Sequence, residues 1–131
     1  MTNRSEPTLD DVAAAYVEYG RTQSPDDFWA FEAVTLLAFE QRWDDLWALT
    51  LRAIELSAFD DSAALCFIAA GPLEDLIRYA APIVQDRVIG RIRTDAKFRR
   101  TLTGAWARAE RPDFWREITP LLAQYPTEPL S

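Results

Sequence analysis

The sequence lacks histidine, and its 131 residues include a single cysteine, Cys66. Without histidine the chain has no imidazole to act as a general base, to complete a serine or cysteine triad, or to bind zinc. One cysteine forms neither an intramolecular disulfide nor a thiolate cluster for a metal. Because no basic residue lies near it in the sequence, Cys66 is predicted to be a small buried hydrophobic side chain rather than a reactive thiol.

Long apolar runs are also missing. A membrane-spanning helix would need a run of about 18 apolar residues, and residues 1–11 contain no apolar core of a signal sequence. We therefore expect a cytoplasmic protein with no membrane partner. Hydrophobic residues make up 49% and charged residues 27% of the chain, as in a folded domain. The length predicts a single helical domain at residues 1–125 and a C-terminal tail at 126–131.

The apolar residues recur with the period of an α-helix, and no segment predicts a strand. The pattern predicts an all-α fold of about seven to eight antiparallel helices that pack as helical hairpins, as in HEAT or TPR proteins. The predicted helices are roughly 9–20, 25–39, 44–57, 60–70, 73–80, 82–93, 94–109 and 112–122. Helix 25–39 is apolar on most sides, so we expect it to be central or to present an aromatic edge to a partner.

Pairs of adjacent aspartates occur four times in the first half of the chain, at steps of 16, 18 and 16 residues. The pairs are Asp10-Asp11, Asp26-Asp27, Asp44-Asp45 and Asp60-Asp61. Each is predicted to mark a helix start, because a helix N-terminus favours negative charge. We expect Thr8 and Ser24 to cap the first two helices and an aspartate to cap each of the later two. A two-helix unit of 34 residues follows from these steps and equals the length of a TPR repeat, but the TPR signature residues do not align.

Adjacent acids on one helix point about 100° apart, so a pair cannot supply two converging catalytic carboxylates. Glu74-Asp75 is of more interest, because it follows the Gly71-Pro72 sequence. There the glycine is predicted to end one helix in a left-handed conformation and the proline to begin the next. Glu74 is expected to pair with Arg78. Alternatively, a partly buried acid of this pair organises a pocket with Trp29 or Trp106.

Three segments of the chain are distinctive: Asp27-Phe28-Trp29-Ala30, the stretch from Ala69 to Ile77 with its Ala-Gly-Pro-Leu-Glu-Asp-Leu motif, and Phe98 to Leu102 followed by Gly104 and Trp106. Over about residues 25–107 they resemble a family of small uncharacterised bacterial helical domains. The resemblance implies a bacterial source and a helical fold. The family has no assigned activity, so the resemblance implies no catalytic residue.

Charge is distributed unevenly along the chain. Residues 1–86 carry a net charge of −11 and residues 87–131 a net charge of +4. Eight basic residues between 87 and 111 are predicted to pair with acids of the first four helices or to be solvated. A nucleic acid is not expected as a partner, because the protein as a whole is acidic and lacks a glycine-rich phosphate loop.

Five tryptophans are present, of which Trp47 and Trp106 are predicted in the core, and at least one of Trp29, Trp43 and Trp115 is predicted to be exposed. Aromatic residues among carboxylates suit a basic protein partner. The residues predicted to bind it are Asp26, Asp27, Trp29, Asp44, Asp45, Glu74 and Asp75.

The sequence thus favours a non-enzymatic, acidic protein-binding domain of immunity or inhibitor type, with no cofactor, no metal and no catalytic residue. Two alternatives stay open. One is a small-molecule or metal-dependent enzyme that uses Glu74 and Asp75. The other is a polyanion mimic that blocks a nucleic-acid-binding protein. A homo-oligomer is compatible with all three.

Overall fold

The computed structural model describes residues 6–105 and 110–130, and in these ranges the regular structure is entirely helical. The helices are α1 (Leu9–Thr22), α2 (Phe28–Phe39), α3 (Trp43–Leu56), α4 (Ser62–Ile68), α5 (Glu74–Thr94), α6 (Ala96–Leu102) and α7 (Pro112–Leu122). The all-α prediction is confirmed. No helix in the described ranges combines the length and the apolarity needed to cross a membrane.

The number of separate helices is smaller than predicted, because the predicted helices 60–70, 73–80 and 82–93 follow one another through kinks rather than loops. A π-helical turn, Ala69–Leu73, joins α4 and α5 into one rod that bends at Gly71 (φ −102°, ψ −105°) and again at Ala80 (φ −135°, ψ 24°). The described chain therefore forms six rods. Gly71 does not adopt the predicted left-handed conformation. A side chain is excluded there because a Cβ atom would collide with the hydroxyl of Tyr16.

The aspartate pairs all lie at helix starts, but they differ in whether and how they cap the helix. Thr8 caps α1, and its backbone N–H donates in return to Asp11 Oδ2 at 3.0 Å, which completes the predicted capping box. Asp61 caps α4 by accepting a hydrogen bond from Ala64 N at 3.1 Å. The prediction is wrong at α3, where Arg42 precedes the helix and no side chain caps it.

The second pair also departs from the prediction in detail. Ser24 accepts a hydrogen bond from Asp26 N, as predicted, but residues Pro25–Asp27 form a 3₁₀ turn that precedes α2. Asp26 and Asp27 therefore lie before α2 rather than in its first turn.

The first helix is longer than predicted. Gly20 does not end α1, which continues to Thr22, and Gln23 supplies the left-handed cap with φ 57°. Gly20 lies where a Cβ atom would be only 2.8 Å from the ring of Phe67, so this glycine permits α1 and α4 to pack closely.

The core lies where α1, α3, α4 and α5 meet. Helix α1 packs on α2, α3 and α4, helix α3 also packs on α5 and α6, and α7 packs on α5. Trp47 is buried as predicted, and Trp115 is buried against Phe114. Cys66 is only partly buried, which departs from the prediction. Trp106 lies outside the described residues.

The segment after α7 contacts the domain rather than extending from it. The backbone N–H of Leu130 donates to Thr103 Oγ1 at 3.0 Å, and the Leu130 side chain packs on the core. The absence of a Cβ atom at Gly104 makes room for it, because such an atom would lie 2.9 Å from Leu130 Cδ1.

Candidate interaction surface

Helix α2 buries little of its apolar surface. Ala30 and Val34 are its only buried residues. Five of its large apolar side chains, here called the α2 face, are between 37% and 83% exposed: Phe28, Trp29, Phe31, Leu36 and Phe39. Helix α2 is therefore not central. It presents aromatic side chains to solvent, so the expectation of a central helix is wrong and the expectation of an aromatic edge for a partner stays a prediction.

The N-terminal half of α2 is held in place by aromatic packing. The rings of Phe28 and Phe31 stack with centroids 5.6 Å apart, and each contacts Tyr19 of α1. Phe31 also contacts Phe67 of α4. The inner edges of these rings anchor the helix, while their outer edges are left in contact with water.

Acidic residues lie within the α2 face and at both of its ends. Asp26, Asp27, Glu32 and Glu40, here called the acidic rim, lie on or next to α2, and the segment 24–41 contains no lysine or arginine. Within the described part of the chain, none of these four carboxylates makes an ion pair. Glu32 is four positions from both Phe28 and Leu36, so it lies within the α2 face, whereas Asp26, Asp27 and Glu40 lie at its two ends.

The third aspartate pair differs, because both of its carboxylates make ion pairs. Asp44 lies 2.8 Å from Arg87 of α5, and Asp45 lies 2.6 Å from Arg42. Of the residues predicted to bind a partner, Asp26, Asp27 and Trp29 lie at the N-terminal end of α2. Asp44 and Asp45 lie at the start of α3.

Glu74 and Asp75 have separate environments. Glu74 makes the predicted ion pair with Arg78, which also lies 3.6 Å from Glu110. Asp75 instead lines a cleft of about 470 Å³ between the C-terminal half of α2 and the start of α5. The two carboxylates therefore do not converge on one point.

The cleft at Asp75, here called the Asp75 cleft, has mostly apolar and aromatic walls. Its lining residues are Thr35, Ala38, Phe39, Gln41, Trp43, Asp75 and Tyr79. The tryptophan in it is Trp43, whereas the sequence suggested Trp29 or Trp106. In the described residues no three histidine, cysteine or acidic side chains come together as metal ligands.

Asp75 is half-buried, and its environment disfavours its charge. Burial raises the pKa of the Asp75 carboxyl, the nearby Arg78 lowers it and the neighbouring Glu74 raises it, with a net upward shift. Burial, and to a smaller extent the charge of Asp75, also raises the pKa of Tyr16. The charge of Asp75 therefore contributes to the raised pKa of Tyr16, the core residue whose hydroxyl lies against Gly71.

Of the described basic residues between 87 and 111, one pairs with an acid of the first four helices, and Arg93 is exposed, in line with the predicted alternative of solvation. Arg87 pairs with an acid of the first four helices, Asp44, and Arg91 pairs with Asp95 of its own segment. The others with described hydrogen bonds donate to backbone carbonyls: Lys97 to Glu55 and Ser57, Arg99 to Ile92, Arg100 to Phe59, and Arg111 to Arg78. Arg108 lies outside the described residues.

For Lys97 and Arg99 this arrangement follows from the chemistry of helix ends. The last carbonyls of a helix have no partner within the helix and carry the negative end of its dipole, so cations stabilise them. Lys97 binds the end of α3 in this way, at 3.0 Å from Glu55 O and 2.7 Å from Ser57 O. The sequence contains no local signal for such contacts, because the partners are some forty positions apart.

Comparison with known proteins identifies a family but no activity. Neither the curated proteins nor the solved structures contain a significant match to the chain. The sequence model of one family of unknown function, DUF6869, matches residues 18–125, which span α2 to α7 and the end of α1. Because the match covers most of its length, the chain belongs to the DUF6869 family.

Proposed function

We propose that this protein is a non-enzymatic binding module of the bacterial cytoplasm, of immunity or inhibitor type, whose α2 face docks a basic segment of another protein. The observation that carries the proposal is the α2 face itself, with five exposed large apolar side chains and an acidic rim free of ion pairs in the described chain. Large apolar side chains exposed together on one helix of a small protein mark an interaction site, and Glu32 places a carboxylate among them. The rim selects partners of positive charge.

The charge of the rim also disfavours other occupants. Anionic lipid headgroups and nucleic acid phosphates would be repelled by Asp26, Asp27, Glu32 and Glu40. A second copy of the chain docked α2 against α2 would bring two acidic rims together. A protein segment with an apolar side and flanking lysines or arginines fits both the face and the rim.

The two alternatives have less support. An enzyme that uses both Glu74 and Asp75 needs converging carboxylates, and Glu74 is instead held by Arg78. A polyanion mimic needs an unbroken row of free carboxylates. Several acids of the first half are paired with arginines, namely Asp10 with Arg52, Asp44 with Arg87 and Asp61 with Arg21.

Selection from a library of random displayed peptides tests the proposal, because the library samples many segment chemistries at once. The wild-type protein is the bait, and the selected peptides are measured against the variants Trp29→Ser and Leu36→Ser, which remove exposed side chains of the α2 face. We expect enriched peptides with net positive charge and an apolar side. Their affinity should fall at least about tenfold for each variant, as for central residues of an interface.

The matched control is Leu56→Ser, which removes a leucine of similar exposure from α3. The selected peptides should bind Leu56→Ser as tightly as the wild type. Enrichment of neutral or acidic peptides, or equal loss of affinity in Leu36→Ser and Leu56→Ser, would contradict the proposal.

A further inference from the structure

The Asp75 cleft adjoins the α2 face. Phe39 belongs to both, because its side chain is 83% exposed at the end of α2 and lines the cleft. The opposite wall is formed by Asp75 and Tyr79 of α5, and Trp43 at the start of α3 closes one side. A segment lying along α2 would therefore pass the mouth of this cleft.

The carboxylate of Asp75 has no cation in direct contact with it in the described residues, although Arg78 acts on it at longer range. Within residues 6–105 and 110–130 it accepts no hydrogen bond and makes no ion pair. The nearest cation on its own helix is Arg78, which is held by Glu74 and Glu110. A half-buried carboxylate without a partner is costly, so a cation that enters the cleft would be stabilised there.

The aromatic walls favour the same kind of ligand. Trp43, Phe39 and Tyr79 line the cleft, and the faces of such rings attract organic cations. An inorganic metal ion would need several oxygen ligands, and the described residues provide no such cluster. A planar guanidinium stacks on aromatic rings and bonds a carboxylate with two N–H groups, which an ammonium group does not do.

We propose that the Asp75 cleft is a subsite for an arginine side chain of the basic segment that docks on the α2 face. The inference rests on the proposed function for the source of the arginine. The chemistry of the subsite does not depend on that function, so the two are tested separately. The volume of about 470 Å³ accommodates a single side chain of this length with room for water.

Titration with a small arginine analogue tests the subsite by itself. The probe is Nα-acetyl-arginine methylamide, added to the isotopically labelled protein while the indole N–H signal of Trp43 is followed by NMR. We expect saturable binding in the millimolar range with a shift at Trp43. The affinity should fall by about tenfold in Asp75→Asn, which removes the charge but keeps the shape.

Two matched controls separate specific binding from general attraction to an acidic protein. The variant Asp60→Asn removes the same charge at an exposed site outside the cleft and should leave the affinity unchanged. The corresponding citrulline analogue has nearly the same shape as the arginine probe without its charge, and it should bind at least about tenfold more weakly.

Three results would overturn the proposal: no saturable shift at Trp43, equal affinity of Asp75→Asn and wild type, or binding of the matching lysine analogue at least as tight as that of the arginine probe. The variant Leu36→Ser separates a failure of the arginine subsite from a failure of the proposed docking on the α2 face. Leu36 does not line the Asp75 cleft, so Leu36→Ser should lose the selected peptides and still bind the arginine probe.

Discussion

Gly71 shows how a single residue allows two helices to approach each other. The Tyr16 hydroxyl occupies the place where a Cβ atom of residue 71 would lie. Gly90, in contrast, is exposed in the second half of α5 with no atom within 4 Å of such a position. The two glycines therefore have opposite expected responses to the same substitution.

We predict that Gly71→Ala destabilises the protein by about 1–3 kcal/mol through overpacking, whereas Gly90→Ala stabilises it by about 0.5–1 kcal/mol through helix propensity. Urea unfolding of both variants measures the difference. In the Gly71→Ala background, Tyr16→Phe should recover part of the loss, because the next atom of the ring, Cζ, is 3.7 Å away. Equal effects of the two glycine substitutions would contradict this role of Gly71.

The pKa shift of Asp75 predicts a pH-dependent effect on stability. Because the folded pKa is raised, the stability associated with this group is complete at low pH and is lost as the pH rises through the folded pKa. We expect Asp75→Asn to be more stable than the wild type near pH 7 and equally stable near pH 3. Urea unfolding across about pH 3 to pH 7 measures this. If Asp75→Asn gained the same stability at about pH 3 as at about pH 7, the raised pKa of Asp75 would be contradicted.

Residue-level roles were predictable from the sequence only where the partner is close in the chain. The Thr8–Asp11 capping box and the Glu74–Arg78 pair were both predicted, with separations of three and four positions. The contact between Tyr16 and Gly71 was not, because it depends on how α1 packs against the π turn.

At the scale of helices, amphipathic patterns led to the most accurate predictions. Helix α3 was predicted at 44–57 and is observed at Trp43–Leu56, with its apolar side buried. The break predicted at Gly71-Pro72 is present as a kink with non-helical φ and ψ at Gly71, but no loop follows it, because the π turn leads directly into α5. Helix α2 has no polar side, so its sequence alone did not decide between burial and a binding face.

The aspartate pairs predict different costs for neighbouring substitutions. We expect Asp61→Ala to destabilise the protein by about 1 kcal/mol, because Asp61 caps α4 and pairs with Arg21 at 3.0 Å. Asp60→Ala should change stability by less than about 0.5 kcal/mol, because Asp60 is exposed. Thermal or urea unfolding of the two variants compares them directly. If Asp60→Ala and Asp61→Ala lowered the free energy of unfolding equally, the pair would act through its total charge rather than through the cap that Asp61 gives α4.

At the scale of the whole molecule, the sequence predicted the separation of charge but not its partners. The acidic first part and the basic last part are visible in the composition. Which acids stay free depends on the fold, since Asp44 meets Arg87 only when α3 and α5 pack. In the described ranges none of the four carboxylates of the acidic rim makes an ion pair, so α2 and the turn before it carry four of the free acids of the first half.

Local charge predicts a difference in association rate between two variants of equal net charge. Asp26→Asn/Asp27→Asn neutralises part of the rim, and Glu117→Gln/Glu128→Gln neutralises two acids on α7 and the C-terminal segment. With a selected basic peptide at low salt, the first variant should associate several-fold more slowly than the wild type, and the second should differ much less. Stopped-flow measurement at two salt concentrations tests this. Equal slowing would mean that only the net charge matters.

The central claim is that α2 is the docking surface for a basic protein segment. It is tested most directly by mapping a selected basic peptide onto the isotopically labelled protein by NMR. The account predicts that the largest chemical shift changes fall on residues 26–40 and on the Asp75 cleft. A footprint centred instead on the basic segment 87–111 or on α7, with α2 unchanged, would contradict it.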